Sequence, residues 1–264
     1  MAWSDRHAHM LKAMGLRQWV PPALAGTAPV VADDSYQQVT AKTQPVTLEE
    51  RSRPTMHQPA SEPTWSPLAA DVAKLDLPQL RQAVAQCRAC GLCEGRTQTV
   101  FGAGHARAHW LVIGDAPSAD EDAQGEPFVG ASGQLLDQML SAIGLARSGD
   151  NDPSKSVYIA NTVKCRPPGN RNPSVEEMAQ CAPFLLRQIE LLQPRMILAM
   201  GRFAVQALLR SSEPIGRLRG RLHSHHGVPM VVTYHPAYLL RNLNEKAKAW
   251  EDLCSAADQV AANK

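Results

Sequence analysis

Apolar residues are spaced along this chain in two rhythms. Four short runs, at residues 110–113, 157–163, 195–200 and 228–233, are largely apolar or β-branched with no polar alternation. Strands covered on both faces of a parallel sheet have this pattern. Gly114 and Gly201 break the first and third runs where a strand would hand over to a helix. Between the runs the period lengthens to that of an amphipathic helix, which predicts helices over residues 134–143, 175–192, 202–209 and 246–261. Strands and helices in alternation predict an α/β fold, a parallel sheet held between helical layers.

The N-terminal portion breaks this rhythm. Residues 21–74 are rich in Pro, Ala, Thr, Ser and Gln with scattered charge, which predicts a disordered linker. Ahead of it, Met10, Leu11, Met14, Leu16 and Trp19 return at nearly helical spacing, so residues 1–20 form a short amphipathic segment. Such a segment either docks on the core or recruits a partner through the flexible tether. Residues 75–264 are then one folded domain. No run of about eighteen apolar residues occurs, and the start of the chain lacks the charged-then-apolar pattern of a signal peptide. A cytoplasmic, monomeric protein with no membrane association is expected.

Net charge is +2, but it is unevenly spread: residues 110–152 hold eight acids and one base, residues 164–221 four acids and ten bases. An acidic pocket loop beside a basic half suits a polyanion whose reactive part enters the pocket. The pocket candidate is the segment LVIGDAPSADEDAQGEPFVGASGQLLD at residues 111–137. It joins a buried strand to a turn carrying Asp115, Asp120, Glu121 and Asp122, then to Pro127-Phe128 between two glycines, and finally to a helix with Ser132 as its expected N-cap. Ligand crevices in open α/β sheets lie at this carboxyl end of the strands. His235 follows the last strand at the same edge and opens the run HPAYLLR.

Six cysteines give the second signal. Cys87 and Cys90 form a C-x2-C pair, Cys165 follows a strand, and Cys181 lies on the next helix. In a reducing compartment four such thiols read as metal or iron–sulfur ligands. Zinc uses similar donors, but a single tight pair with two distant cysteines suits a cluster stapling separate segments better. Cys93 extends the pair to C-x2-C-x2-C without the rest of a ferredoxin run, and Cys254 reads as a small core residue.

The runs GDAPSADEDAQGEPFVGASGQLL, NTVKCRPPGNRNPS and HPAYLLR, together with the cysteine spacing and EGRT at residues 94–97, resemble the family 4 iron–sulfur uracil-DNA glycosylases over residues 80–256. The resemblance implies a three-layer α/β/α sandwich on a four-stranded parallel sheet, with a [4Fe-4S] cluster held by Cys87, Cys90, Cys165 and Cys181. It implies a DNA-repair enzyme that flips deoxyuridine out of DNA and hydrolyses its N-glycosidic bond. Phe128 would stack on the base, Asn161 would read the uracil edge, and His235 would donate to a uracil oxygen. Asp115 and Glu121 would position water or stabilise the sugar cation, with Ala116 where another branch of the superfamily has an aspartate. Ser132, Leu239, Leu240 and Arg241 would contact DNA, one of the leucines filling the gap left by the flipped base.

The chain departs from the family pattern at Asp115, where glutamate is usual, at Ser118, where glycine is usual, and at Ala237, where serine follows His-Pro. A DNA-binding iron–sulfur protein of the same fold with weak or no glycosylase activity is the first alternative. A nucleotide-binding or redox protein is the second. At the other end of the chain, Arg6, Leu11, Met14-Gly15-Leu16 and Gln18-Trp19 resemble the segment by which the psi subunit of the bacterial clamp loader holds the chi subunit. That likeness implies that residues 5–19 bind chi.

Overall fold

A computed structural model of the protein describes residues 71–147 and 152–262. The segment expected to bind a partner and the linker, apart from residues 71–74, lie outside the described residues. Within that remnant Val72 is already buried, packed with Leu80, Val84, Phe101 and Phe184, so core packing starts slightly before residue 75. Helix α1 (Leu77–Gln86) is started by a capping box. The Asp76 carboxylate accepts the Gln79 N–H, and the Gln79 side chain accepts the Asp76 N–H. A single turn, α2 (Leu92–Gly95), follows, then a two-residue strand β1 (Ala103–Gly104).

Strand β2 (Trp110–Gly114) leads into a short helix α3 (Ala119–Gln124) and a longer one, α4 (Gly130–Ala142). Next come β3 (Val157–Asn161), α5 (Val175–Leu192), β4 (Met196–Met200) and α6 (Arg202–Leu209). The turn α7 (Ile215–Leu218) precedes β5 (Leu222–His225) and β6 (Val228–Thr233), and the described chain closes with α8 (Pro236–Arg241) and α9 (Lys246–Ala262).

The sheet order is β1-β3-β2-β4-β6-β5. The inner strands β3, β2, β4 and β6 pair in parallel as the apolar runs predict. The expectation of a four-stranded sheet needs correction, because β1 and β5 add antiparallel edges and bring the total to six strands. Every residue of β2, β3 and β4 is buried. Side chains alternate between two cores: Trp110, Val112 and Leu198 pack under α4 and α9, whereas Leu111, Ile113 and Ile197 pack under α5 and α6. Two helical layers therefore sandwich the sheet.

Three boundaries differ from the sequence expectation. β3 ends at Asn161 rather than 163, because the Thr162 amide and hydroxyl both turn to donate to the Gly114 carbonyl, at 2.9 Å each. The acidic turn after β2 is largely helical. Its first turn is capped by Ser118, whose hydroxyl accepts the Glu121 N–H, and Glu121 and Asp122 are buried rather than solvated. Finally, α4 begins at Gly130 with Val129 at the N-cap, so Ser132 lies inside the first turn instead of capping it.

Candidate active site and cysteine cluster

Gly114, the last residue of β2, lies at the carboxyl edge of the sheet, where ligand crevices of open α/β sheets form. A Cβ there would come within 2.5 Å of the Phe128 ring and 2.6 Å of Asn161 Oδ1, so only glycine lets an aromatic face and an amide converge. Phe128 is buried with a left-handed backbone, φ 53°, and its ring stacks on His235 with centroids 5.0 Å apart. Asn161 leaves β3 beside it, and its Nδ2 donates to Glu121 Oε2 at 3.0 Å. That bond fixes the amide, with Oδ1 as the acceptor turned toward Gly114. The Phe128 amide also hydrogen-bonds to Glu121. Burial raises the Glu121 carboxyl above its ordinary range, and the bond from Asn161 opposes the shift.

His235 caps α8, its Nδ1 accepting the Ala237 N–H at 3.2 Å. The neutral ring then carries its proton on Nε2. Burial, aided by nearby Arg241, lowers its pKa to about 4, so the imidazole is uncharged at neutral pH.

Asp115 does not aim its carboxylate freely into the crevice. Its Oδ1 accepts the Phe203 and Ala204 N–H groups at 2.8 and 3.0 Å, capping the start of α6, and Gly201 makes room for it. Burial drives its pKa to about 6 against those two bonds and the Arg202 charge. Ser118 has φ −83°, an ordinary extended conformation, so no glycine is required there. Ala116 packs toward the residues beneath the cysteines. In α8 the two leucines part company: Leu239 is wholly buried against the α4–α9 core, whereas Leu240 is 41% exposed. Arg241 is exposed at the end of the same helix.

A cavity is lined by Cys87, Cys90, Cys165 and Cys181, with Cys93 also on its wall. Cys87 caps the end of α1, Cys165 follows β3, and Cys181 sits on α5. Cys254 lies elsewhere, against the core beneath α9. Among the described residues no three His, Cys, Asp or Glu side chains are gathered tightly enough for a single metal ion. Burial raises the Cys90 and Cys165 thiols and takes Cys181 to about 12.

Three cationic residues were not singled out from the sequence. Arg96 Nη1 donates to Cys165 Sγ at 3.0 Å. Lys164 is fully buried, its Nζ donating to the Asn161 carbonyl at 2.8 Å and its backbone N–H to Cys181 Sγ at 3.3 Å, so it ties Asn161 to the cysteine cavity. Burial lowers its pKa to about 8, opposed by the thiols. Arg147 binds the backbone at Phe128. A lone lysine between an apolar strand and a cysteine was a usable signal. Arg147 gave none.

The residues 101–254 match the family model described as the Uracil DNA glycosylase superfamily. The chain is 39% identical over 187 residues to a type-4 uracil-DNA glycosylase of Pyrobaculum aerophilum, an alignment covering 68% of this chain and 92% of that protein. It is 39% identical over 172 residues to the type-4 uracil-DNA glycosylase of Archaeoglobus fulgidus, covering 62% of this chain and 83% of the relative. For the type-4 enzyme of Thermotoga maritima the identity is 38%, with 63% and 84% covered.

Proposed function

Because the chain belongs to the uracil DNA glycosylase superfamily, we propose that it is a DNA-repair hydrolase that excises uracil from DNA and leaves an abasic site. The observation that carries this reading is the convergence of Phe128 and Asn161 on Gly114, with His235 stacked on the Phe128 ring. Phe128 offers a flat face to a flipped pyrimidine. Asn161 Oδ1 accepts from uracil N3–H, and the Nδ2 hydrogen left free by Glu121 donates to O4. Cytosine presents the reverse pattern and would leave both groups unpaired. His235 Nε2–H donates to uracil O2, where negative charge grows as the C1′–N1 bond breaks. Water adds at C1′, and the departing uracil keeps the bonding electron pair and takes up a proton. The carboxylates of Asp115 and Glu121 contribute the negative field that the sugar cation needs. Leu240 enters the space left by the base, while Arg241 and the open first turn of α4 at Ser132 take phosphates.

The cysteine cavity fits a [4Fe-4S] cluster held by Cys87, Cys90, Cys165 and Cys181. Its thiols line one cavity without closing on a single ion, and cationic Arg96 and Lys164 offset thiolate charge. Such a cluster would staple α1, β3 and α5 together and supplies no step of the hydrolysis. The capped Asp115 favours a second reading, a DNA-binding protein of the same fold with weak excision, since part of its carboxylate is engaged by α6. We place the protein in the cytoplasm as a monomer, with residues 5–19 as a docking segment for the chi subunit. No helix among the described residues is long and apolar enough to cross a membrane.

A uracil-containing oligonucleotide duplex incubated with the protein and then treated with alkali decides the main reading. Cleavage at the uracil, absent from a thymine control, supports it. A duplex that is bound and remains intact after alkali supports the second.

A further inference from the structure

Phe128 holds its ring in the pocket by an unusual backbone. Its φ of 53° is uncommon for a bulky residue, and Gly130, two residues on, also has a positive φ of 73°. Part of what holds this turn lies outside the crevice. Arg147 Nη1 donates to the Pro127 carbonyl at 2.8 Å and Nη2 to the Phe128 carbonyl at 2.7 Å. Its Nε donates to Asp137 Oδ1 at 2.6 Å, which fixes the plane of the guanidinium from α4. Gly133 of α4 lies so close that a Cβ would overlap the Phe128 carbonyl and come within 3.3 Å of Arg147 Nη2, so a glycine there leaves room for the guanidinium to reach that oxygen. The Phe128 carbonyl is thus packed on a glycine of α4 and held by a two-pronged cation.

We propose that Arg147 is a positioning residue for base recognition: steered by Asp137, its fork across two consecutive carbonyls holds Phe128 in the left-handed turn and keeps its ring on the base. This rests on the uracil-excision reading above. The planar fork matters because a lysine ammonium is a point donor that cannot span both carbonyls in one plane. The charge also matters, since hydrogen bonds from an ionised donor are the stronger ones. Among the described residues Arg147 hydrogen-bonds to Asp137, Pro127 and Phe128 and to neither Asn161 nor His235, so its influence on the base runs through Phe128. Its side chain is 25% exposed, so a small cation from solution can reach its place.

The test compares Arg147→Ala and Arg147→Lys with wild type in single-turnover excision, inhibition by free uracil and affinity for abasic-site DNA. Misplacing a stacking ring by about an ångström costs on the order of a hundredfold in rate. Arg147→Ala should therefore lose roughly tenfold to a hundredfold in excision and weaken inhibition by uracil, with abasic-site affinity unchanged. Guanidinium chloride at low concentration should restore part of the loss where sodium chloride does not, and Arg147→Lys should fall between the two proteins. Wild-type excision in Arg147→Ala overturns the proposal. So does a loss that guanidinium fails to restore and that falls in step with abasic-site affinity and melting temperature, which marks a merely structural role. If wild type binds uracil-DNA but releases no uracil, the glycosylase reading fails by itself. The Arg147 comparison is then read as preference for uracil-containing over uracil-free duplex, and an unchanged preference in Arg147→Ala overturns it.

Discussion

His235 is uncharged at neutral pH, and Asp115 titrates close to neutrality, because burial dominates both groups. With pKa values of about 4 and about 6, the two should leave separate marks on a pH profile. As pH falls through about 6, Asp115 gains a proton and its negative field disappears, so single-turnover excision should decline there; a further decline should begin only near 4, where His235 charges. Asp115→Asn should lower the plateau and erase the first limb, and a wild-type profile flat through pH 6 would show that the charge is not used. The same substitution should not lower the melting temperature at pH 7. The folded pKa lies above the ordinary 3.8, so this group's stabilising contribution is present at low pH and is lost as pH rises through about 6, and the amide can still cap α6. Replacing His235 by alanine should cost about a hundredfold in excision without loss of DNA binding, by the usual worth of one donor to developing charge. Phe128, Asn161 and His235 were legible because their residue types sit at a strand-end edge where pockets form. Arg147 was not, because its carbonyl partners are backbone groups that any sequence supplies, and their approach depends on the turn at Phe128. Ser118 was read as a misfit when it is a helix cap, since its φ could not be known from the run alone.

At the scale of elements, α8 divides its neighbouring leucines between two tasks. Leu239→Ala should destabilise the fold by about 2–5 kcal/mol, as large-to-small changes in packed cores do. Leu240→Ala should leave the melting temperature in place and weaken uracil-DNA binding. Equal effects from both in denaturation and in DNA affinity would contradict this division. The cysteines make a comparable statement about α1, β3 and α5. Purified protein should be brown, and Cys165→Ala or Cys181→Ala should bleach and destabilise it, whereas Cys254→Ala should keep the colour. Colourless protein containing zinc would refute the cluster assignment. The continuous apolar runs made the inner strands readable. The edges β1 and β5 escaped notice because one is two residues long and the other buries only His225 of its four residues, so neither carries a buried strand's pattern.

For the whole molecule, the proposed tether makes recruitment and chemistry separable. Deleting residues 1–22 should leave excision of free oligonucleotides unchanged while abolishing binding to purified chi subunit, and Trp19→Ala should act like the deletion. A truncated protein that melts earlier or excises more slowly would instead make those residues part of the folded core. The order of the inner sheet also has a consequence for how the protein comes into being. The thiols of Cys87, Cys90, Cys165 and Cys181 all precede β4, whereas β6 and His235 come late in the chain and β6 must insert between β4 and β5. Synthesis runs from the N-terminus. A nascent chain therefore presents all four proposed sulfur donors before the imidazole proposed to face the base has been synthesised, so iron could be loaded while the polypeptide still lacks its proposed donor to uracil.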